Sequence, residues 1–273
     1  MKKYFIYLAI LLIISVGDSF AASLNITYQD YGLSLGNSKK INGVRINLVD
    51  EGVEKINGFN FTLWKPKDNP DAVINGLAFG LVAPVAKKIN GFAFGGVGVA
   101  GEKITGFAFG TIGLASENMN GISFGGIGLA GENVNGLCFG GIGLAGENIN
   151  GLSFGGIGLA SENINGISLG GVGLASENIN GLCFGGIGLA SENINGISLG
   201  GVGLAAQRIV GVAVGGIGLA SEEMVGISLG GVGVAAEEIR GIAVGGLGVG
   251  AERITGFAVG GMKIKCNRMT GLS

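Results

Sequence analysis

ENINGLSFGGIGLAS, residues Glu147 to Ser161, recurs with small changes along most of this chain, and its pattern points to one class of fold. One glycine marks the register. It stands at Gly76, Gly91, Gly106, Gly121, Gly136 and Gly151, and continues at 15-residue steps to Gly271. A period of this length signals a repeat architecture in which each unit buries its apolar side only against its neighbours.

The unit contains four glycines, each costing about 1 kcal/mol in a helix interior, so helix is a poor reading. Apolar residues alternate instead. Leu152 and Phe154 share one face of a strand, as do Ile157 and Leu159. Gly155-Gly156 shifts the alternation by one and reads as a corner or bulge. The unit also divides into three pentads, ENING, LSFGG and IGLAS. Their central residues are Ile149, Phe154 and Leu159, and their last residues are Gly151, Gly156 and Ser161. One inward residue per side and a small residue at each corner describe a three-sided coil. The expectation is an all-β fold, a β-solenoid of 15-residue coils in which each strand pairs with its counterpart one coil away.

An antiparallel β-barrel with one strand per repeat is the alternative. From Gly166 to Gly246 neighbouring units alternate, GISLGGV then GLCFGGI, as a 30-residue hairpin repeat would. Stacked glutamates, including Glu147, Glu162 and Glu177, would also repel along a parallel solenoid. Against the barrel, the double glycine breaks the alternation a spanning strand needs, and every connection looks alike. In a solenoid the glutamates must splay into water at a corner, where salt screens them.

Outward from the repeats, four segments are expected. Residues 1–21 read as a signal peptide, with Lys2 and Lys3, an apolar run from Tyr4 to Val16, and Ser19-Phe20-Ala21 before cleavage. Residues 22–42 form an irregular N-terminal cap, in which Gly32-Leu33-Ser34-Leu35-Gly36 echoes the repeat. Tandem repeats fill residues 43–261, with a loop inserted near residues 64–71 around Pro66 and Pro70. Residues 262–273 form a C-terminal cap, where Met262-Lys263-Ile264-Lys265-Cys266 replaces the usual apolar run.

Composition narrows the function class. Glycine numbers 59 of 273 residues while 47% are hydrophobic, which argues for packed rather than disordered structure. The net charge of −2 gives no electrostatic reason to expect nucleic acid as a partner. There is no histidine, the commonest general acid–base and metal ligand. Cys138, Cys183 and Cys266 form no C-x-x-C pair. Cys138 and Cys183 share a unit position three coils apart, ~14 Å in a solenoid and beyond the ~7 Å reach of a disulfide.

Two columns carry polar chemistry. Asn118, Asn133, Asn148, Asn163, Asn178 and Asn193 form one asparagine column, and Asn120 to Asn195 form a second. Stacked amides can hydrogen-bond along a solenoid axis as a ladder, and asparagine also suits turns. The glutamate row could attract divalent cations, but no second carboxylate accompanies it in the ENIN units. Gly-Gly-x-Gly lacks the aspartate of the calcium-binding nonapeptide repeat and the strand-to-helix setting of a nucleotide fingerprint. Threonine is too scarce in the repeats for an ice-binding face. No catalytic residue, cofactor or metal site is expected.

The signal peptide followed by units such as INGLSFGGIGLASEN resembles a family of bacterial surface-repeat proteins of leptospiral type. The resemblance covers about residues 41–271 and is closest in early units such as Ile56-Asn57-Gly58-Phe59-Asn60-Phe61-Thr62-Leu63-Trp64. It implies export to the bacterial cell surface, outer membrane or periplasm, and carries over no functional residues. The expectation is a non-enzymatic structural or interaction protein, presenting a repetitive surface for adhesion or envelope contact to an unidentified protein or envelope component. The alternative is an outer-membrane β-barrel or a membrane-associated protein.

Overall fold

A computed structural model describes residues 23–67 and 69–273. The expected signal peptide lies outside the described residues. Among them, all regular structure is β: eighteen strands joined by turns and bends. The described residues divide into two compact units, one ending at Gly101 and the other running from Glu102 to Ser273.

The second unit is the regular one. Strand β7 (Gly98–Gly110) begins a series of 13-residue strands that repeats at 15-residue steps through β8 (Gly113–Gly125), β9 (Gly128–Gly140), β10 (Gly143–Gly155) and β11 (Gly158–Gly170) to β17 (Gly248–Gly260). The last strand is β18 (Lys263–Leu272). Pairing is parallel throughout and joins residues 15 apart: Leu144 faces Leu129 on one side and Leu159 on the other. This is a β-solenoid. The antiparallel barrel is not what the chain forms, and the two-unit alternation between Gly166 and Gly246 marks side-chain size rather than strand direction.

Three corners shape each coil. At Gly151 the backbone adopts φ +119°, and a Cβ there would sit 2.4 Å from the Gly136 carbonyl oxygen of the preceding coil. A residue other than glycine would meet both torsional strain and a clash. At Glu147 the ladder skips one residue, pairing Gly146 and Asn148 with their counterparts but not the glutamate. The third corner bends at Gly156 and Ile157, where backbone N–H groups still reach the previous coil (Gly156 to Gly140 at 3.0 Å, Ile157 to Ile142 at 2.6 Å).

The core holds fewer large residues than the pentads predict. Leu144 and Ile149 point inward on two sides, as expected. On the third side Ser153, 1% exposed, points inward, and Phe154, 41% exposed, points outward. The reason lies in the third corner. The Gly158 carbonyl oxygen crosses over Gly155, 2.1 Å from where its Cβ would be, so this end of the coil is too thin for an aromatic ring. Small residues therefore line the inside here: Ser153, Ser168, Cys138, Cys183 and, in other coils, Ala213 and Ala243.

The first unit builds the same coil less regularly. Strands β1 (Ser23–Tyr28) and β2 (Tyr31–Gly36) form an antiparallel hairpin, with Gln29 and Asp30 at positive φ in its turn. Strand β2 then pairs in parallel with β3 (Lys40–Asn47), joining Gly32 to Gly43 at a step of 11 rather than 15. Strands β4 (Lys55–Thr62), β5 (Val73–Gly80) and β6 (Val85–Gly95) follow in parallel. The extra residues between β4 and β5 absorb an 18-residue step without shifting the register, since Gly58 still faces Gly76.

Candidate functional site

The side chains that could meet a partner are set by the corners, so each column occupies one place on the coil. In the first asparagine column the Nδ2 of each residue donates to the Oδ1 one coil earlier, from Asn133→Asn118 to Asn193→Asn178, at 3.0–3.2 Å. The second column does the same from Asn135→Asn120 to Asn180→Asn165 at 3.0–3.3 Å. Each amide inside a ladder uses one N–H and one lone pair along the axis and keeps the others for solvent or a ligand.

The first unit carries a ladder of its own. Asn57 donates to Asn42, Asn75 to Asn57 and Asn90 to Asn75, at 2.6–2.8 Å. The signal was present in the repeated Ile-Asn-Gly triplets of residues 41–43, 56–58, 74–76 and 89–91.

Glu147, Glu162 and Glu177 are exposed at their corner and lie outside the paired register. Splaying there separates their charges in water. The corner is tied by the preceding small residue: Ser161 Oγ donates toward the Glu147 carbonyl at 2.9 Å and the Asn163 carbonyl at 3.0 Å. Ser176 and Ser191 repeat this. With Ala145, Ala160 and Ala175 these residues line a shallow open groove along the coils. Among the described residues, no three His, Cys, Asp or Glu side chains are grouped to hold a metal ion.

Beyond Asn193 the first column changes character. Arg208 takes the next position and binds Glu223 at 2.9 Å, while Arg253 binds Glu238 at 3.1 Å. Glu223 and Glu238 face each other directly, and Arg240 from the neighbouring column bridges them at 3.5 and 3.0 Å. Neutral amides thus give way to a charged row in one register, Arg208, Glu223, Glu238, Arg253 and Arg268, in which two glutamates stand between arginines. The sequence shows the same substitution, but only the register makes it a single row.

A buried polar cluster occupies the first unit. Arg45 takes the inward position that Ser153 fills later, and pairs with Asp50, both almost fully buried. Arg45 also donates to Asn60 at 2.8 Å and Asn37 at 2.7 Å, while Thr62 donates to Asp50 at 2.7 Å. The cluster fills the coil interior with paired charge, although the Arg45 Nε is buried without a hydrogen-bond partner. Sequence reasoning missed it, because Arg45 stands in an alternating strand as an outward residue would.

The largest feature missed is apolar. With Ser153 and Gly155 facing in, the columns containing Leu152, Phe154 and Ile157 face out. Phe124, Phe139 and Phe154 stack on the outside at 4.7 and 6.0 Å between ring centroids. Cys138 and Cys183 sit in the small-residue interior, and burial pushes both thiols up to about 12. They are structural rather than reactive groups.

No family model, curated protein or solved structure matches the chain.

Proposed function

We infer that this is an exported structural or interaction protein, which presents a repetitive surface for adhesion or envelope contact. The observation that carries the reading is the 15-residue parallel register, which sets like side chains in exposed rows on every coil. Such rows offer the same weak contact many times, and linked contacts raise avidity without any single strong site. The N-terminal sequence and the resemblance to bacterial surface-repeat proteins support export. Membrane association is a second reading, favoured by the outward Leu152, Phe154 and Ile157 columns.

Deleting whole coils tests the first reading. Variants lacking residues 158–172 or 158–187 keep every remaining pair in register, since repeat proteins tolerate loss of internal units. Binding of purified protein to isolated bacterial envelopes, measured by co-sedimentation, should weaken stepwise with each coil removed. Binding indifferent to coil number, or abolished only by changes near either terminus, would contradict it. Fractionation of cells and N-terminal sequencing of the exported chain test the expected cleavage after Ala21.

A further inference from the structure

The outward apolar columns of the second unit carry information beyond their hydrophobicity. From Phe154 the second column alternates in size, Phe154, Leu169, Phe184, Leu199. The third column alternates in step with it over these four coils, Ile157, Val172, Ile187 and Val202, and continues alone to Ile217 and Val232, where Val214 and Leu229 stand in the second column. Exposure follows size, at 54, 44, 54 and 44% for the first four residues of that column. From Phe154 to Val202 the surface is therefore corrugated, with a bulky coil every second coil and a repeat of ~9.6 Å, twice the strand spacing.

The strip is also large and uncharged. Ten coils, with register glycines Gly121 to Gly256, give a length of ~48 Å, and the chain from Leu152 to Ile157 spans at most ~16 Å, so the strip covers about 800 Å². That is about what each partner contributes to a stable protein interface. The glutamate corner lies across the coil from the side that bears Leu152 and Phe154, so it points away from anything seated there.

The geometry points to a second copy of this chain as the occupant. Two strips facing each other, staggered by one coil, set the Phe–Ile ridges of each into the Leu–Val grooves of the other. A face with a two-coil period is complementary to itself, which is what a two-fold interface requires. A lipid bilayer has no such period to match. The flanks also suit it poorly: from Ile104 to Gln207 the chain has six glutamates and no Lys, Arg, Trp or Tyr, and Arg208, Arg240 and Arg253 in the later coils are paired with Glu223 and Glu238. Membrane-seated faces are flanked by those cationic and interfacial aromatic residues. Self-association is separable from envelope binding, because it is measured on the purified protein alone.

The decisive variant fills the grooves. L169F, V172I, L199F and V202I together make these coils resemble Phe124–Ile127 and Phe139–Ile142, which occur consecutively in the same chain, so the fold accommodates them. A second variant, I187K with I217K, places charge on the ridges. Sedimentation velocity from 1 to ~100 μM, with circular dichroism as the check of folding, should show a wild-type dimer in the affinity range of ordinary interfaces. The filled variant should weaken the dimer at least tenfold despite being more apolar, and the charged variant should be monomeric. A monomeric wild type at every concentration overturns the inference. So does a filled variant that associates as well or better, which would mean unspecific stickiness. Oligomers indifferent to both variants, or a wild-type monomer that sediments with neutral phosphatidylcholine vesicles, overturn it too.

Discussion

Gly151 and Gly158 look interchangeable in the sequence and are not. Gly151 holds φ +119° with its missing Cβ pressed against a neighbouring backbone, whereas a Cβ at Gly158 would lie 4.0 Å from the nearest carbonyl oxygen. Gly151→Ala should lower stability by at least about 2 kcal/mol, and Gly158→Ala by no more than about 0.5 kcal/mol, as read from urea unfolding midpoints. Ser168 makes the opposite case. Its buried hydroxyl has no hydrogen-bond partner, and alanine fills the same inward position at Ala213 and Ala243. Ser168→Ala should therefore raise stability, by about 1 kcal/mol, since an unsatisfied buried polar group is removed. The thiols supply a pH signature. Burial raises Cys138 and Cys183 from 9.0 to about 12, so between these values the folded chain keeps protons that the unfolded chain releases. Their contribution to stability is complete below pH 9 and is lost as pH rises toward 12. At pH 8 a thiol reagent should modify the part-exposed Cys266 rapidly and the other two only on unfolding. Equal rates at all three would contradict the buried placement.

Single coils show which parts of the fold are legible in sequence. Gly151, Gly156 and the Ser161–Glu162 step stand at corners, because only small or solvated residues suit a bend, and that constraint is local. The outward turn of Phe154 is not local. Alternation places Leu152 and Phe154 on one face but does not say which face is inside. The answer depends on the Gly158 carbonyl crossing Gly155, a contact set by coil closure. The asparagine rows follow directly from the period, whereas the Arg45–Asp50 cluster depends on how an atypical coil fills its interior. Removing one member of that pair leaves a buried charge uncompensated. Asp50→Ala should cost about 3–5 kcal/mol, and replacing Arg45 and Asp50 together by small apolar residues should cost less than the two single changes summed. A double-mutant cycle by chemical unfolding reads this directly.

At the scale of many coils, each repeat of the second unit is one coil stacked in parallel on its like neighbours. Its consequence is linear: equivalent positions separate by ~4.8 Å for every 15 residues of sequence. Within the second unit, Ala130, Ala190 and Ala220 are exposed and equivalent. The direct test is pulsed electron–electron distance measurement between spin labels on cysteines at Ala130 with Ala190, and Ala130 with Ala220, in a C266S background with the buried thiols left in place. Magnetic dilution with unlabelled chain removes distances between copies. Four and six coils predict backbone separations of ~19 and ~29 Å, the difference being the robust quantity. A mean distance rising by about 10 Å between the two pairs supports the stacked coil. Distances that do not grow with sequence separation, as in a closed antiparallel barrel whose strands return on themselves, would contradict it.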